Sequence, residues 1–100
     1  MNELNPLEQA VYDLIPRGIE NCRKYKDLHS HIDERSFKRI IRALRLKGKV
    51  IGAIRGKQGG YFVATTEEER VIATRQFEAQ VKDEMAIVSA MKKAELEEIA

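Results

Sequence analysis

The chain of 100 residues predicts a mainly α fold with a small β-hairpin, an α+β domain in which helices dominate. Three observations predict it. Residues 35–46 repeat apolar side chains at helical spacing. Residues 50–64 form two β-branched and aromatic runs around a glycine-rich turn. Residues 65–99 contain neither Pro nor Gly, so nothing in them stops a long helix.

Taken in order, Asn5 is placed to cap a first helix, with Pro6 at the favoured first helical position. Leu7, Ala10, Val11, Leu14 and Ile15 give it an apolar stripe, and Pro16-Arg17-Gly18 ends it. A connector follows, with an extended piece at Ile19. A short second helix from about Tyr25 to His31 buries Leu28. The third helix is capped by Asp33 and stopped by Gly48, and it turns Phe37, Ile40, Ile41 and Leu44 inward. In the hairpin, alternation sets Tyr61 and Val63 on one face and Phe62 on the other. Thr66 and Glu69 have capping-box spacing at the start of the last helix, whose first turn is acidic. Its proximal Val71, Ile72 and Phe77 are expected to complete the core. Its stripe of Phe77, Val81, Met85, Val88 and Met91, continuing to Leu96 and Ile99, is expected to pair with a second chain.

This order of elements is that of a winged helix-turn-helix followed by a long C-terminal helix. It divides the chain into a winged-helix unit over 1–65 and a dimerising, coiled-coil-like helix over 66–100.

Charge sharpens the functional expectation. The chain carries a net charge of only +2. Residues 17–57, however, hold thirteen Lys or Arg against four acids, a net +9 flanked by acidic ends. Such asymmetry points to a polyanion for the middle of the chain and another task for the tail. No acid interrupts Arg35 through Arg45, whereas a merely solvated helix face gains from mixing Glu with Arg. Arg35, Ser36, Lys38 and Arg39 lie in the first turns, where a recognition helix meets base edges. Arg42 and Arg45, further along, suit phosphates. Arg55, Lys57 and Gln58 at the hairpin tip, and Lys24 and Lys26 with Arg23 at the entry to the second helix, suit backbone contact.

Other chemistries find little support. Cys22 is the only cysteine, which excludes an internal disulfide and suits a reducing cytoplasm; it reads as a small buried hydrophobe. Cys22, His29 and His31 lack the paired spacing of a zinc site, so no metal and no cofactor is expected. The glycines at 56–60 lack the Lys-Ser/Thr ending of a phosphate-binding loop, and no nucleophile–base–acid set is visible, so no enzyme activity is expected. No apolar run approaches membrane-spanning length, and the acidic N-terminal stretch does not resemble a signal peptide. A cytoplasmic protein without membrane contact is the expectation.

Four segments carry a family resemblance: Leu14-Ile15-Pro16-Arg17-Gly18-Ile19-Glu20-Asn21, Arg39-Ile40-Ile41-Arg42-Ala43-Leu44-Arg45, Gly59-Gly60-Tyr61-Phe62-Val63-Ala64-Thr65 and the Glu-rich helix after them. Together they resemble small winged-helix proteins of phages and prophages of low-GC Gram-positive bacteria, over most of residues 7–90. The resemblance implies DNA binding in a phage regulatory or replication module in the bacterial host cell. It carries DNA contact to Arg35, Arg39, Arg42 and the wing. Relatives place a longer second helix and a glycine-containing turn before the third; here only His29-Ser30-His31 separates Leu28 from Ile32, so this region must be shortened.

The leading expectation is a dimeric double-stranded DNA-binding regulator of transcription or replication. The alternative is a protein–protein adaptor that binds a replication or transcription protein instead of DNA. Single-strand or RNA binding ranks last, because only Tyr25, Tyr61 and Phe62 could be spared for stacking on bases.

Overall fold

A computed structural model describes residues 3–94. It is mainly helical with one two-stranded antiparallel sheet, in the order α1 (Pro6–Leu14), α2 (Glu34–Leu46), β1 (Ile51–Ile54), β2 (Gly60–Val63) and α3 (Glu67–Lys93). Single 3-10 turns at Ile19–Asn21 and Tyr25–Asp27 fill the space between α1 and α2.

Helix α1 begins as its sequence dictates. Asn5 Oδ1 accepts from the Glu8 N–H, and Glu8 Oε1 accepts from the Asn5 N–H, a reciprocal capping box ahead of Pro6. The buried side of α1 keeps only part of the expected apolar stripe. Glu8, Val11 and Ile15 are buried, while Leu7, Ala10 and Leu14 are exposed. On that side Lys47 Nζ at the end of α2 meets Glu8 Oε1 at 2.5 Å, so Glu8 is buried beside Val11 and Ile15. A carboxylate tolerates this burial because Lys47 and the Asn5 N–H both satisfy it.

The expected second helix is reduced to one 3-10 turn. It has no side-chain cap, and His29 ends it in the left-handed region at φ 53°, taking the conformation a glycine would otherwise supply. Leu28 is nevertheless buried, and the Tyr25 hydroxyl donates to the Ile32 carbonyl oxygen, closing the turn onto the start of α2. The piece at Ile19 is also a 3-10 turn. Extended pairing occurs on either side of it, where Arg17 bridges Val63 and Arg23 bridges Tyr61, so this connector lines the outer edge of β2.

Asp33 caps α2 through the Ser36 N–H, and Phe37, Ile41 and Leu44 are buried with Ile40 partly so. The helix ends in a Schellman motif: the Gly48 N–H donates to the Arg45 carbonyl and the Lys49 N–H to the Leu44 carbonyl, with Gly48 at φ 91°. Phe37 is the centre of the core. Its ring makes edge contacts with Tyr25 at 5.1 Å and Tyr61 at 5.3 Å, joining α2 to the 3-10 turn and to β2.

In the hairpin Ile51 pairs with Val63 and Ala53 with Tyr61, facing the main core, whereas Gly52 pairs with Phe62 on the opposite face. Phe62 is fully buried over Gly52, where a Cβ would lie 2.3 Å from the ring.

Helix α3 packs its first turns on β1. Thr66 Oγ1 accepts from the Glu69 N–H, but the other half of the expected box is redirected. The Glu69 carboxylate accepts from the Thr65 N–H and, across the fold, from the Ile19 N–H. Ala73, not the expected Val71, Ile72 and Phe77, is the buried contact; those three remain partly or half exposed. Ala94 is extended, so the helix ends at Lys93; Leu96 and Ile99 lie outside the described residues. No described helix is long and apolar enough to cross a membrane.

Candidate nucleic-acid interface

The packing of α2 decides what it presents. With Phe37, Ile41 and Leu44 locked inward, Arg35, Lys38, Arg39 and Arg42 are all exposed along the opposite side. Among the described residues the ion pairs are Lys47–Glu8 and Arg70–Glu67, and neither involves this side. The side chains of these four cations donate no hydrogen bond to, and form no ion pair with, another described residue. Ser36 is half-buried at the first turn. Asp33, which caps it, has a carboxyl held below the ordinary range by hydrogen bonds from Ser36, so its charge is committed to the helix end.

Arg45 was expected on a phosphate but is turned inward. Its Nε donates to the Ile51 carbonyl oxygen at 2.8 Å, and burial lowers its pKa from the ordinary value. A guanidinium so tied to β1 positions α2 and is not part of the open face.

At the hairpin tip Arg55, Lys57 and Gln58 are exposed, and the Gly59 N–H donates to the Gly56 carbonyl to shape the turn. Gly60, expected in the loop, already belongs to β2. The tip is anchored to the connector by Cys22, whose thiol donates to the Gln58 carbonyl oxygen at 3.4 Å. Cys22 is therefore half-buried, not the core hydrophobe expected from its type. A groove of about 760 Å³ runs between tip and connector, with Arg23, Lys24 and Lys57 among its walls, and Glu20 and Asp27 beside them. Lys26 is exposed next to this groove in sequence. The structure thus brings Lys24 and Lys57 together, a relationship no spacing in the sequence announces. No group of three or more His, Cys, Asp or Glu side chains among the described residues is arranged to hold a metal ion.

Of the residues expected to pair chains, Phe77 sits beneath Arg45, and Val81, Met85, Val88 and Met91 lie exposed along α3 beyond the domain. Sequence reasoning overlooked Leu46. It is 75% exposed at the end of α2, on the outward side shared with Arg35 and Arg42. The signal was its position four residues after Arg42, off the Phe37–Ile41–Leu44 stripe.

Comparison with protein-family models, with curated proteins and with solved structures returned no match.

Proposed function

We propose that the protein binds double-stranded DNA as a winged helix-turn-helix, with α2 as recognition helix and the β1–β2 tip as wing. It acts as a homodimer held by α3, in control of transcription or replication. The observation that carries this reading is the side of α2 bearing Arg35, Lys38, Arg39 and Arg42, four cations without an internal acid partner. Like charges set on one rigid helix repel one another, and a phosphate backbone relieves that repulsion while releasing its counterions. The fixed inner side supports the same reading, because a helix reads base edges only if its orientation is held. Two further basic groups, Lys24 and Lys57, share a groove beside the tip and suit contact with the backbone.

Selection of duplexes from a random pool, followed by titration of variants on selected and unrelated duplexes, tests the proposal. Arg39→Ala is expected to lower affinity for the selected duplex by roughly 1–3 kcal/mol, with a smaller loss on unrelated DNA. Lys57→Ala is expected to weaken both alike. Equal losses from the two substitutions would remove the assigned roles. Failure to bind any duplex would shift the basic face to an acidic protein partner.

A further inference from the structure

The basic face leaves a second surface unexplained. Helix α3 is about 40 Å long at 1.5 Å per residue, and the radius of gyration is 17.6 Å where a compact chain of this length has about 13 Å. Its first turns dock on β1, but its far half carries Val81, Met85, Val88 and Met91 exposed along one side. Two charges share that side. Glu84 lies four residues before Val88 and Lys92 four after it, both exposed, whereas Lys82, Asp83 and Lys93 fall elsewhere around the helix. Glu84 Oε1 accepts from Gln80 Nε2, while Oε2 takes no hydrogen bond from a described residue.

We propose that this half of α3 pairs antiparallel with the same half of a second copy, about a two-fold axis at Val88. The inference rests on the homodimer reading above and gives it a direction and a register. The charges on the apolar side decide both. Parallel packing in register sets Glu84 against the partner's Glu84 and Lys92 against the partner's Lys92, two like-charge contacts on the seam. Antiparallel packing centred on Val88 sets Glu84 against the partner's Lys92 and Lys92 against the partner's Glu84, and it opposes the two helix dipoles. Each pair stands four residues from the axis, so a single two-fold makes both. The same register sets Val88 against the partner's Val88 and Met85 against the partner's Met91, whose long thioether chains adapt to the gaps beside it. The surface is then self-complementary, as a two-fold interface requires. The contact spans residues 84–92 of each chain, beyond Phe77. It therefore leaves the groove at the end of α2, the bonds of Glu69 to Ile19 and Thr65, and Arg42 on the basic face as they are. Because each domain sits at the start of its own α3, the two basic faces stand at opposite ends of the paired helices.

Charge exchange tests the pairing, with the dimer dissociation constant measured by sedimentation equilibrium and helicity by circular dichroism. Glu84→Lys and Lys92→Glu, each alone, set like charges together at both ends of the contact and are expected to raise the constant about three- to tenfold. Combined in one chain they restore opposite charges and are expected to return it to within about twofold of the native value. In a parallel pair each single exchange replaces one like-charge contact by another. An unchanged constant in both single variants would therefore overturn the antiparallel register while leaving the dimer. A double variant as weak as the single ones would overturn it too, since losses of helix propensity or dipole are not restored by the exchange. A native chain that stays monomeric at high micromolar concentration would overturn the dimer itself; duplex binding, measured separately on the native chain, is independent of these outcomes.

Discussion

The Arg45 guanidinium carbon lies 5.0 Å from the centre of the Phe77 ring while its Nε hydrogen-bonds the Ile51 carbonyl oxygen. One side chain thereby joins α2, β1 and α3. Two arginines three residues apart on α2 should then behave oppositely when truncated. Arg45→Ala removes a charged hydrogen bond and a cation–π contact and is expected to cost about 1–3 kcal/mol of stability. Arg42→Ala is expected to leave stability within about 0.5 kcal/mol and to lower duplex affinity instead. Urea unfolding followed by circular dichroism, with fluorescence anisotropy on a labelled duplex, separates the two.

The pairing of Gly52 with Phe62 sets a second expectation. A methyl group on Gly52 would sit 2.3 Å from a ring that has no exposed surface into which to retreat. Gly52→Ala is therefore expected to destabilise by about 1–3 kcal/mol, the usual range for overpacking. In a Phe62→Leu background the same substitution should cost less, because the conflict is with the ring. Equal costs in both backgrounds would place the strain elsewhere.

These residues also show how far the sequence was legible. Asn5, Asp33, Thr66 and Gly48 stand at the helix ends where local hydrogen bonding requires such residues, and the periodicity of Phe37, Ile41 and Leu44 reports one buried side. Local rules of this kind are written in neighbouring residues. What was illegible depended on partners distant in sequence. Glu8 is buried because of Lys47, Arg45 turns inward because Ile51 and Phe77 lie there, and Ala73 replaces Phe77 as the docking contact because α3 crosses β1 closely. For the candidate site, helical periodicity alone placed Arg35, Lys38, Arg39 and Arg42 on the exposed side of α2. It could not show that Lys24 and Lys57 share a groove, or that Leu46 opens onto another.

Acid should unfold the protein partly through two carboxylates. The Lys47 ammonium and the Asn5 N–H hold the Glu8 carboxyl below its ordinary range, and Ser36 does the same for Asp33. Both groups have folded pKa values below their unfolded ones, so their stabilisation is present above about pH 4–5 and is lost as pH falls through the folded values. Thermal melts should hold their midpoint from pH 7 to about 5 and fall below it. Glu8→Gln should lower the midpoint at neutral pH and flatten the acid decline. A Glu8→Gln chain that loses as much between pH 5 and 3 as the native chain would remove Glu8 from this role.

Duplex binding measured against salt concentration tests the central claim most directly. Each phosphate neutralised contributes about −0.9 to the slope of log affinity against log salt, so contact by the four open cations of α2 predicts a slope of about −3.6 or steeper. Alanine at Arg35, Lys38, Arg39 and Arg42 together should make that slope markedly shallower, leaving the share carried by Lys24 and Lys57. A native chain that binds no duplex at low salt, or binds with a slope near zero, would contradict the account.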